Sequence, residues 1–477
     1  MSRDVEILEA VTDFTVVNPF SAERETVENH FIEVTGGKRR GTHLERFGGF
    51  FEWVDRLPSG RRDFRKLKEA ERESMRNLFL FDSYHRYTIA LDELIAEQVK
   101  RGEKACSVAF GAECLERMQS YGFTREEAVR YLGIFYQLRR AHYFIVRGLK
   151  GASECMFEFR RRLWTSVFTT DLRWYERHLW NRMEDFSTLL LGETGSGKGT
   201  AAAAIGRSGF IPYLPEKNEF AESFNRSFVA TNLAEFPETL IEAELFGYRK
   251  GAFTGAVENH AGVFARCSPH GAIFLDEIGE VDHGVQVKLL HVLQERTFMP
   301  VGSREPQRFR GRVICATNRS LDELRSLKVF RDDFFYRISS DVITVPSLRQ
   351  RIAENGRELD LLLETILERM VGTNWGELIE SVRTRLAESP GPEYRWPGNV
   401  RELEQAVRRI IVSGKYQPQG TSGVIESVFQ GAEMTIEELL ARYCGRAVDV
   451  YGTRAAAARK LGVDVRTLGK YLKPIAA

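Results

Sequence analysis

Ser187-Thr-Leu-Leu-Leu191 runs directly into Gly192-Glu-Thr-Gly195-Ser-Gly197-Lys198, and an alanine-rich stretch ending at Ile205 follows at once. The spacing predicts a buried strand, a phosphate-holding loop of GxxxxGK form and a helix. Glycines let backbone N–H groups close around phosphate oxygens, and the start of a helix adds partial positive charge. Lys198 is placed to set a point charge on the β- and γ-phosphates of a nucleotide. A glycine-rich turn arising by chance is the weaker reading, because strand and helix flank the loop in the required order. The residue after the lysine is Gly199 rather than Ser or Thr, and Thr200 comes one place late. The usual hydroxyl ligand for magnesium is therefore missing or displaced.

A second apolar strand, Ala272-Ile-Phe-Leu275, ends in Asp276-Glu277. A carboxylate there can hold magnesium through water, and its neighbour can polarise an attacking water. Alone, the pair could merely cap a helix; beside a phosphate loop it gains weight. A third strand, from Arg312 to Ala316, ends in Thr317-Asn318, polar groups suited to sensing a γ-phosphate. Strand and helix patterns alternate to about residue 345, which predicts an α/β core with a parallel sheet. Phe330-Arg331-Asp-Asp-Phe-Phe-Tyr-Arg337 carries two arginines. They read as solvated helix charges in isolation, or as reagents for a neighbouring subunit's nucleotide in a ring-forming NTPase.

Three further strings narrow the reading: Glu244-Leu-Phe-Gly247, Gly251-Ala-Phe-Thr-Gly-Ala256, and Trp396-Pro-Gly-Asn-Val-Arg401-Glu-Leu-Glu404. With the nucleotide motifs they resemble the central AAA+ domain of sigma-54-dependent transcriptional activators, over roughly residues 153–413. The resemblance implies an ATPase with ATP and Mg2+ as cofactors. ATP binding falls to Gly192, Glu193, Thr194, Gly195, Ser196, Gly197, Lys198, Gly199 and Thr200. Magnesium and water activation fall to Asp276 and Glu277, with Asn232 restraining the glutamate. Asn318 and Arg401 are the implied sensors, Arg331 and Arg337 the trans-acting arginine fingers, and Phe253 and Thr254 the sigma-54-contacting tip. Gly199 stands where that family commonly has glutamate. Bottom-up, an exposed Phe–Thr flanked by glycines is a mobile apolar tip suited to transient protein contact.

The ends of the chain carry less specific signals. Its 477 residues are too many for one ordinary domain, and a net charge of +1 means that any nucleic-acid affinity is local. Such a patch occurs near the C-terminus, where Arg442, Arg446, Arg454, Arg459, Lys460, Arg466, Lys470 and Lys473 gather. Two short helices around Gly462-Val-Asp464 predict a helix-turn-helix that resembles the Fis-type domain ending these activators. Arg454, Arg459, Arg466, Thr467 and Lys470 are its expected DNA-binding residues. Gly469 weakens the second helix by about 1 kcal/mol against alanine. At the other end, residues 1–60, with glycine pairs at 36–37 and 48–49, read as irregular with a few strands. Helical spacing appears from Arg65 to Lys100, and Thr124-Arg-Glu-Glu127 has the capping-box form that opens a helix to about Val146. A receiver domain is not supported, because no alternating β–α pattern surrounds Asp55. The six cysteines are scattered and His85 and His142 isolated, so no structural metal or disulfide framework is expected. No stretch approaches a membrane span, and the expected location is cytoplasmic.

The expected architecture is an α/β AAA+ P-loop parallel-sheet core with a helical lid, preceded by a mainly helical N-terminal domain and followed by an all-α helix-turn-helix domain. Its boundaries are an N-terminal regulatory domain at 1–150, an ATPase at 151–413 with a lid from about 347, a linker at 414–432 and a DNA-binding domain at 433–477. Expected partners are sigma-54 RNA polymerase holoenzyme, double-stranded DNA upstream of promoters, and copies of the chain in a hexameric ring. An AAA+ protein-remodelling ATPase without a DNA role is the rival reading.

Overall fold

The structure, a computed structural model, describes residues 3–326, 329–418, 440–441, 443–445, 447–448 and 453–472. Arg442, Arg446, Lys473 and most of the expected linker lie outside these residues. Contacts divide the chain into two units, one built from residues up to 383 together with 394–408, the other from 384–393 and 409 onward.

The centre of the first unit is a five-stranded parallel sheet: β1 Thr188–Leu191, β2 Phe228–Asn232, β3 Ala272–Asp276, β4 Arg312–Thr317 and β5 Asp341–Thr344, in spatial order β2-β3-β4-β1-β5. The register sets Leu190 beside Ala316 on one flank and Ile343 on the other, and Asn232 beside Asp276. β1 and β4 are buried along their whole length, as near-continuous apolar runs in a parallel sheet should be. The P-loop helix, Lys198–Gly206, follows β1, and lid helices Leu348–Glu354 and Arg357–Val371 follow β5. This is the α/β core that the strand–loop–helix pattern predicts.

The N-terminal region is helical throughout: α1 Arg3–Val16, α2 Arg24–Thr35, α3 His43–Asp55, α4 Glu69–Arg86, α5 Thr88–Arg101, α6 Gly111–Ser120, α7 Arg125–Gly148 and α8 Glu154–Phe168. The irregular, partly stranded reading of residues 1–60 is thereby corrected. Gly36 and Gly37 turn the chain between α2 and α3, Gly48 and Gly49 lie within α3, and none is in a strand. A Cβ on Gly37 would lie 1.9 Å from the Arg46 carbonyl oxygen, and one on Gly49 2.3 Å from that of Thr35. The capping box at Thr124 forms as its spelling predicts: Thr124 accepts from the Glu127 N–H, and Glu127 from the Thr124 N–H at 2.9 Å.

One hydrophobic core joins this helical region to the sheet. Phe31, Phe79 and Tyr136 belong to the same buried cluster as Leu190, Ala201, Ile314 and Ile343. A second cluster, including Leu189, Phe264, Ile273 and Phe334, fills the opposite face of the sheet. The packing thus runs uninterrupted across residue 150.

In the second unit, helices Arg454–Leu461 and Val465–Tyr471 flank a turn in which Gly462 takes φ +66°, and they bury Ala457, Ala458 and Leu468. Thr453 and Asp464 cap their starts by accepting from the N–H groups of Ala456 and Arg466.

Candidate functional site

The glycines after β1 turn the loop as the motif requires. Gly195 and Gly197 adopt φ +77° and +109°, a region that side chains resist. Lys198 Nζ donates to the carbonyl oxygen of Gly192 at 2.8 Å, folding over its own loop. Burial holds its ammonium below the usual lysine range, against the pull of Glu277 and Asp276. Those two carboxylates stand at the end of β3, two strands from β1, and Glu277 takes φ +53°. Burial raises the Glu277 carboxyl above the usual carboxylate range, with Lys198 opposing. From the end of β4, Asn318 closes the group: its backbone hydrogen-bonds to the Glu277 carboxylate, and its Nδ2 reaches Thr194 Oγ1 at 3.5 Å. Left-handed glycines, one cation and two carboxylates fit a triphosphate with a divalent ion.

Other expected residues are placed less simply. Arg401 packs its Cβ 2.9 Å from where a Cβ on Gly195 would stand, beside the loop. Asn232 is level with Asp276 on the adjoining strand, but its amide donates to Glu235 at 3.1 Å. Thr200 sets its methyl towards Gly148 at the end of α7. Gly199 has open space around it, since a Cβ there would meet only the Phe274 ring, at 3.9 Å. Arg331 is exposed and paired with Asp333 at 2.9 Å, and Arg337 donates to the Leu293 carbonyl. Within one chain, then, the sheet gathers the loop, Asp276, Glu277, Asn318 and Arg401, while the two finger arginines find partners elsewhere.

Sequence reading missed Asn399 as a contributor. This fully buried residue, at φ +53°, donates to Glu193 Oε2 at 3.1 Å and to the Thr194 carbonyl at 3.2 Å, and accepts from the Leu348 N–H at 2.7 Å. It pins the P-loop to the first lid helix, helped by Arg349, which grips Glu193 at 2.6 Å. Its signal lay within the quoted Trp-Pro-Gly-Asn string, where asparagine tolerates the left-handed backbone best after glycine.

The Gly251–Ala256 segment forms a tight exposed loop. Gly251 N–H donates to Ala256 O at 2.8 Å, and Ala256 N–H to Phe253 O at 3.0 Å. Tyr248 and His260 pair at its base, and Val301 braces it by accepting from the Arg249 N–H. Phe253 is 40% exposed, its ring edge resting on Tyr248 with centroids 4.9 Å apart, and Thr254 is exposed beside it.

The family model described as "Sigma-54 interaction domain" matches residues 175–344, a span that contains the P-loop, both carboxylates and this loop. The chain carries a sigma-54 interaction domain. The chain is 40% identical over 226 residues to the nitrogen fixation protein AnfA of Azotobacter vinelandii, covering 47% of this chain and 39% of the relative. It is 38% identical over 226 residues to the DNA-binding transcriptional regulator NtrC of Azospirillum brasilense, covering 47% and 43%. The chain therefore spans about two fifths of the length of these curated relatives. Among solved structures, NtrX from Brucella abortus aligns with 76% of this chain and 79% of its own at 19% identity and a TM-score of 0.41.

Among the described residues no group of three or more His, Cys, Asp or Glu side chains is placed to hold a metal ion, and no helix is long and apolar enough to cross a membrane. All six cysteines are free thiols. In the second unit, Arg454, Arg459, Arg466, Thr467 and Lys470 are all exposed.

Proposed function

We propose that this chain activates transcription by hydrolysing ATP to remodel sigma-54 RNA polymerase, while its C-terminal helix-turn-helix tethers it to DNA upstream of the promoter. The observation that carries this reading is the exposed Phe253–Thr254 tip on a braced loop, in the same packed unit as a nucleotide loop faced by two carboxylates. Bound ATP with Mg2+ supplies the γ-phosphoryl group whose transfer to water drives the cycle. Lys198 and the loop N–H groups hold the phosphates, Asp276 orients the metal, and Glu277 takes the proton of the attacking water. With Gly199 bare and Thr200 turned to α7, no hydroxyl next to the lysine helps hold the ion. Arg331 and Arg337 act on the nucleotide of an adjacent copy in a closed hexameric ring, and Asn318 and Arg401 report its state. Asn232 reaches Glu277 only after leaving Glu235. Arg454, Arg459, Arg466, Thr467 and Lys470 meet DNA. The protein works in the cytoplasm.

The test is promoter opening by purified protein with sigma-54 holoenzyme and ATP, comparing wild type with Thr254→Ala. The reading expects opening that needs hydrolysable ATP and is lost in the variant while ATPase activity survives. Hydrolysis by the full chain without opening sinks it.

A further inference from the structure

Helix α7 has two working faces. Gly133, Gln137 and Arg140 lie along one of them and hold the turn that ends the P-loop helix. Gln137 Nε2 donates to the Ser208 carbonyl at 2.8 Å, and Arg140 to those of Arg207 and Gly209 at 2.7 and 2.6 Å. At Gly133 a Cβ would stand 2.7 Å from the Phe210 ring, so only glycine permits the approach. The opposite face, carrying Ile134, Leu138 and His142, lines a cavity of about 550 Å³ inside the N-terminal helices. Helical geometry, at about 100° per residue, centres the two sets about 130° apart around the helix.

The cavity has the size and make-up of a small-molecule site. Phe14, Phe81, Phe135 and Trp164 supply flat apolar walls. Its polar groups are unusually short of partners. His85 is only 8% exposed, and its Nδ1 has no hydrogen-bond partner. Arg46 Nε is likewise buried and unpartnered. Native interiors seldom leave such atoms unpaired. Arg24 donates to the carbonyl of Phe14 at 2.9 Å and lies 3.7 Å over that ring. Among the described residues it makes no ion pair. Glu28 is taken by Arg46 at 2.7 Å, and Asp92 by Arg139 at 2.7 Å. Arg24, whose neighbouring carboxylate Glu28 is shared with Arg46, and two unpartnered nitrogens beside aromatic walls favour a flat anion over a neutral or cationic guest. Burial keeps the His43 and His142 imidazoles below the ordinary histidine range, so they are neutral hydrogen-bonding groups at neutral pH.

We propose that this cavity is an effector site for a small aromatic carboxylate, whose occupancy reaches the ATPase through α7. The carboxylate meets Arg24, Arg46 and His85, and the ring lies against Phe135 and Trp164. A guest that shifts α7 on its cavity face moves, on its other face, the groups that hold the end of the P-loop helix.

The experiment is calorimetric titration of the full chain with benzoate, 4-hydroxybenzoate and indole-3-carboxylate, with benzamide as the uncharged control. ATPase rate is measured in parallel, and neither readout depends on sigma-54. The expected result is one saturable site for at least one acid, with Kd between the micromolar range and about 1 mM. Binding weakens at least about tenfold in Arg24→Gln, and the bound acid changes the ATPase rate. Because Arg24 also holds the end of α1, Leu138→Trp serves as a second variant that fills the opposite wall and should abolish binding. Absence of saturation by every acid up to about 5 mM, equal binding of benzamide, or undiminished binding to Leu138→Trp overturns the site. Binding that leaves the ATPase rate unchanged overturns the coupling.

Discussion

Arg140 donates from Nη1 to the carbonyl oxygen of Arg207 at 2.7 Å, so a helix of the N-terminal region caps the last turn of the P-loop helix. The side chain has no exposed surface, and its other donor nitrogen reaches Gly209 at 2.6 Å. Burial pulls the guanidinium down to about 10, still charged at neutral pH, and the Tyr136 ring lies 4.4 Å beneath it. A cation at a helix C-terminus satisfies carbonyls that have no partner within the helix. Arg140→Leu leaves those carbonyls buried and unpaired. Urea unfolding should show a loss of about 2–4 kcal/mol, with ATPase activity falling as the P-loop helix frays. An unchanged unfolding midpoint would show the contact to be idle.

Acid should weaken the same region through His142. Burial, with repulsion from Arg139 and Arg24, pushes this imidazole from its ordinary 6.5 down to about 4. The folded value lies below the unfolded one, so between these limits the unfolded chain binds more protons. The stability is therefore fully present above pH 6.5 and lost as pH falls towards 4. The expected loss from this imidazole between pH 7 and pH 5 is about 2 kcal/mol, read by urea unfolding at the two pH values. His142→Phe keeps the stacking with Phe20 and should lessen the loss by about 2 kcal/mol, leaving the share of His43, His85 and His270, which burial also holds low; a slope equal to wild type would assign all of it to those other groups.

Asn399 ties lid to loop, and its replacement should separate stability from nucleotide affinity. Asn399→Ala removes three hydrogen bonds and leaves alanine at φ +53°. We expect ATP to bind about tenfold more weakly, with a stability loss of about 1–3 kcal/mol. Titration with a slowly hydrolysed ATP analogue reads the first, and denaturant unfolding the second. Asn399→Asp keeps the acceptor for Leu348 but sets a carboxylate against Glu193, and should weaken ATP at least as much.

The nucleotide motifs were legible because phosphate binding constrains both residue type and spacing, so Gly192–Lys198 and Asp276-Glu277 can be read from the sequence alone, whereas Gly251–Ala256 stood out only by its resemblance to a known string. Thr124 and Glu127 were legible for a similar local reason, since both partners of the capping box lie within one turn. The helices of residues 1–60 were not. Gly37 and Gly49 are required there by the close approach of Arg46 and Thr35 across the α2–α3 turn, and sequence shows a glycine without showing what approaches it. Nor was Arg140: in a run such as Gln137-Leu-Arg-Arg140 nothing distinguishes a solvated arginine from one that reaches carbonyls nearly seventy residues on. His85 and His142 looked isolated for the same reason, their neighbours being brought together only by α1, α3, α4 and α7 folding on one another.

Gly199 departs from the family pattern without a steric demand for glycine. A Cβ there meets only Phe274, at 3.9 Å, and the residue lies in the first turn of an exposed helix start. Gly199→Ala should therefore stabilise the chain by about 0.5–1 kcal/mol through the smaller backbone entropy loss, with ATPase activity retained. Thermal unfolding with and without nucleotide checks this. A variant that loses ATP hydrolysis despite normal folding would mean that phosphate or metal handling needs bare backbone at this position.

Gly262 makes the opposite case, at the base of the exposed loop. A Cβ on it would fall 2.2 Å from the backbone nitrogen of Gly247 and 2.5 Å from the Leu245 carbonyl oxygen. Both contacts are backbone, so no side chain can swing aside, and the Tyr248–His260 pairing must open. The nucleotide groups lie on other elements, the ends of β1, β3 and β4. Gly262→Ala should thus destabilise the loop base by about 1–3 kcal/mol, abolish promoter opening, and leave ATP hydrolysis within about twofold of wild type. Promoter opening and phosphate release measured on the same preparation decide it. If both activities fall together, the loop base and the nucleotide site are one mechanical unit; if neither falls, the Phe253–Thr254 tip tolerates a displaced base and its placement is not what couples hydrolysis to the polymerase.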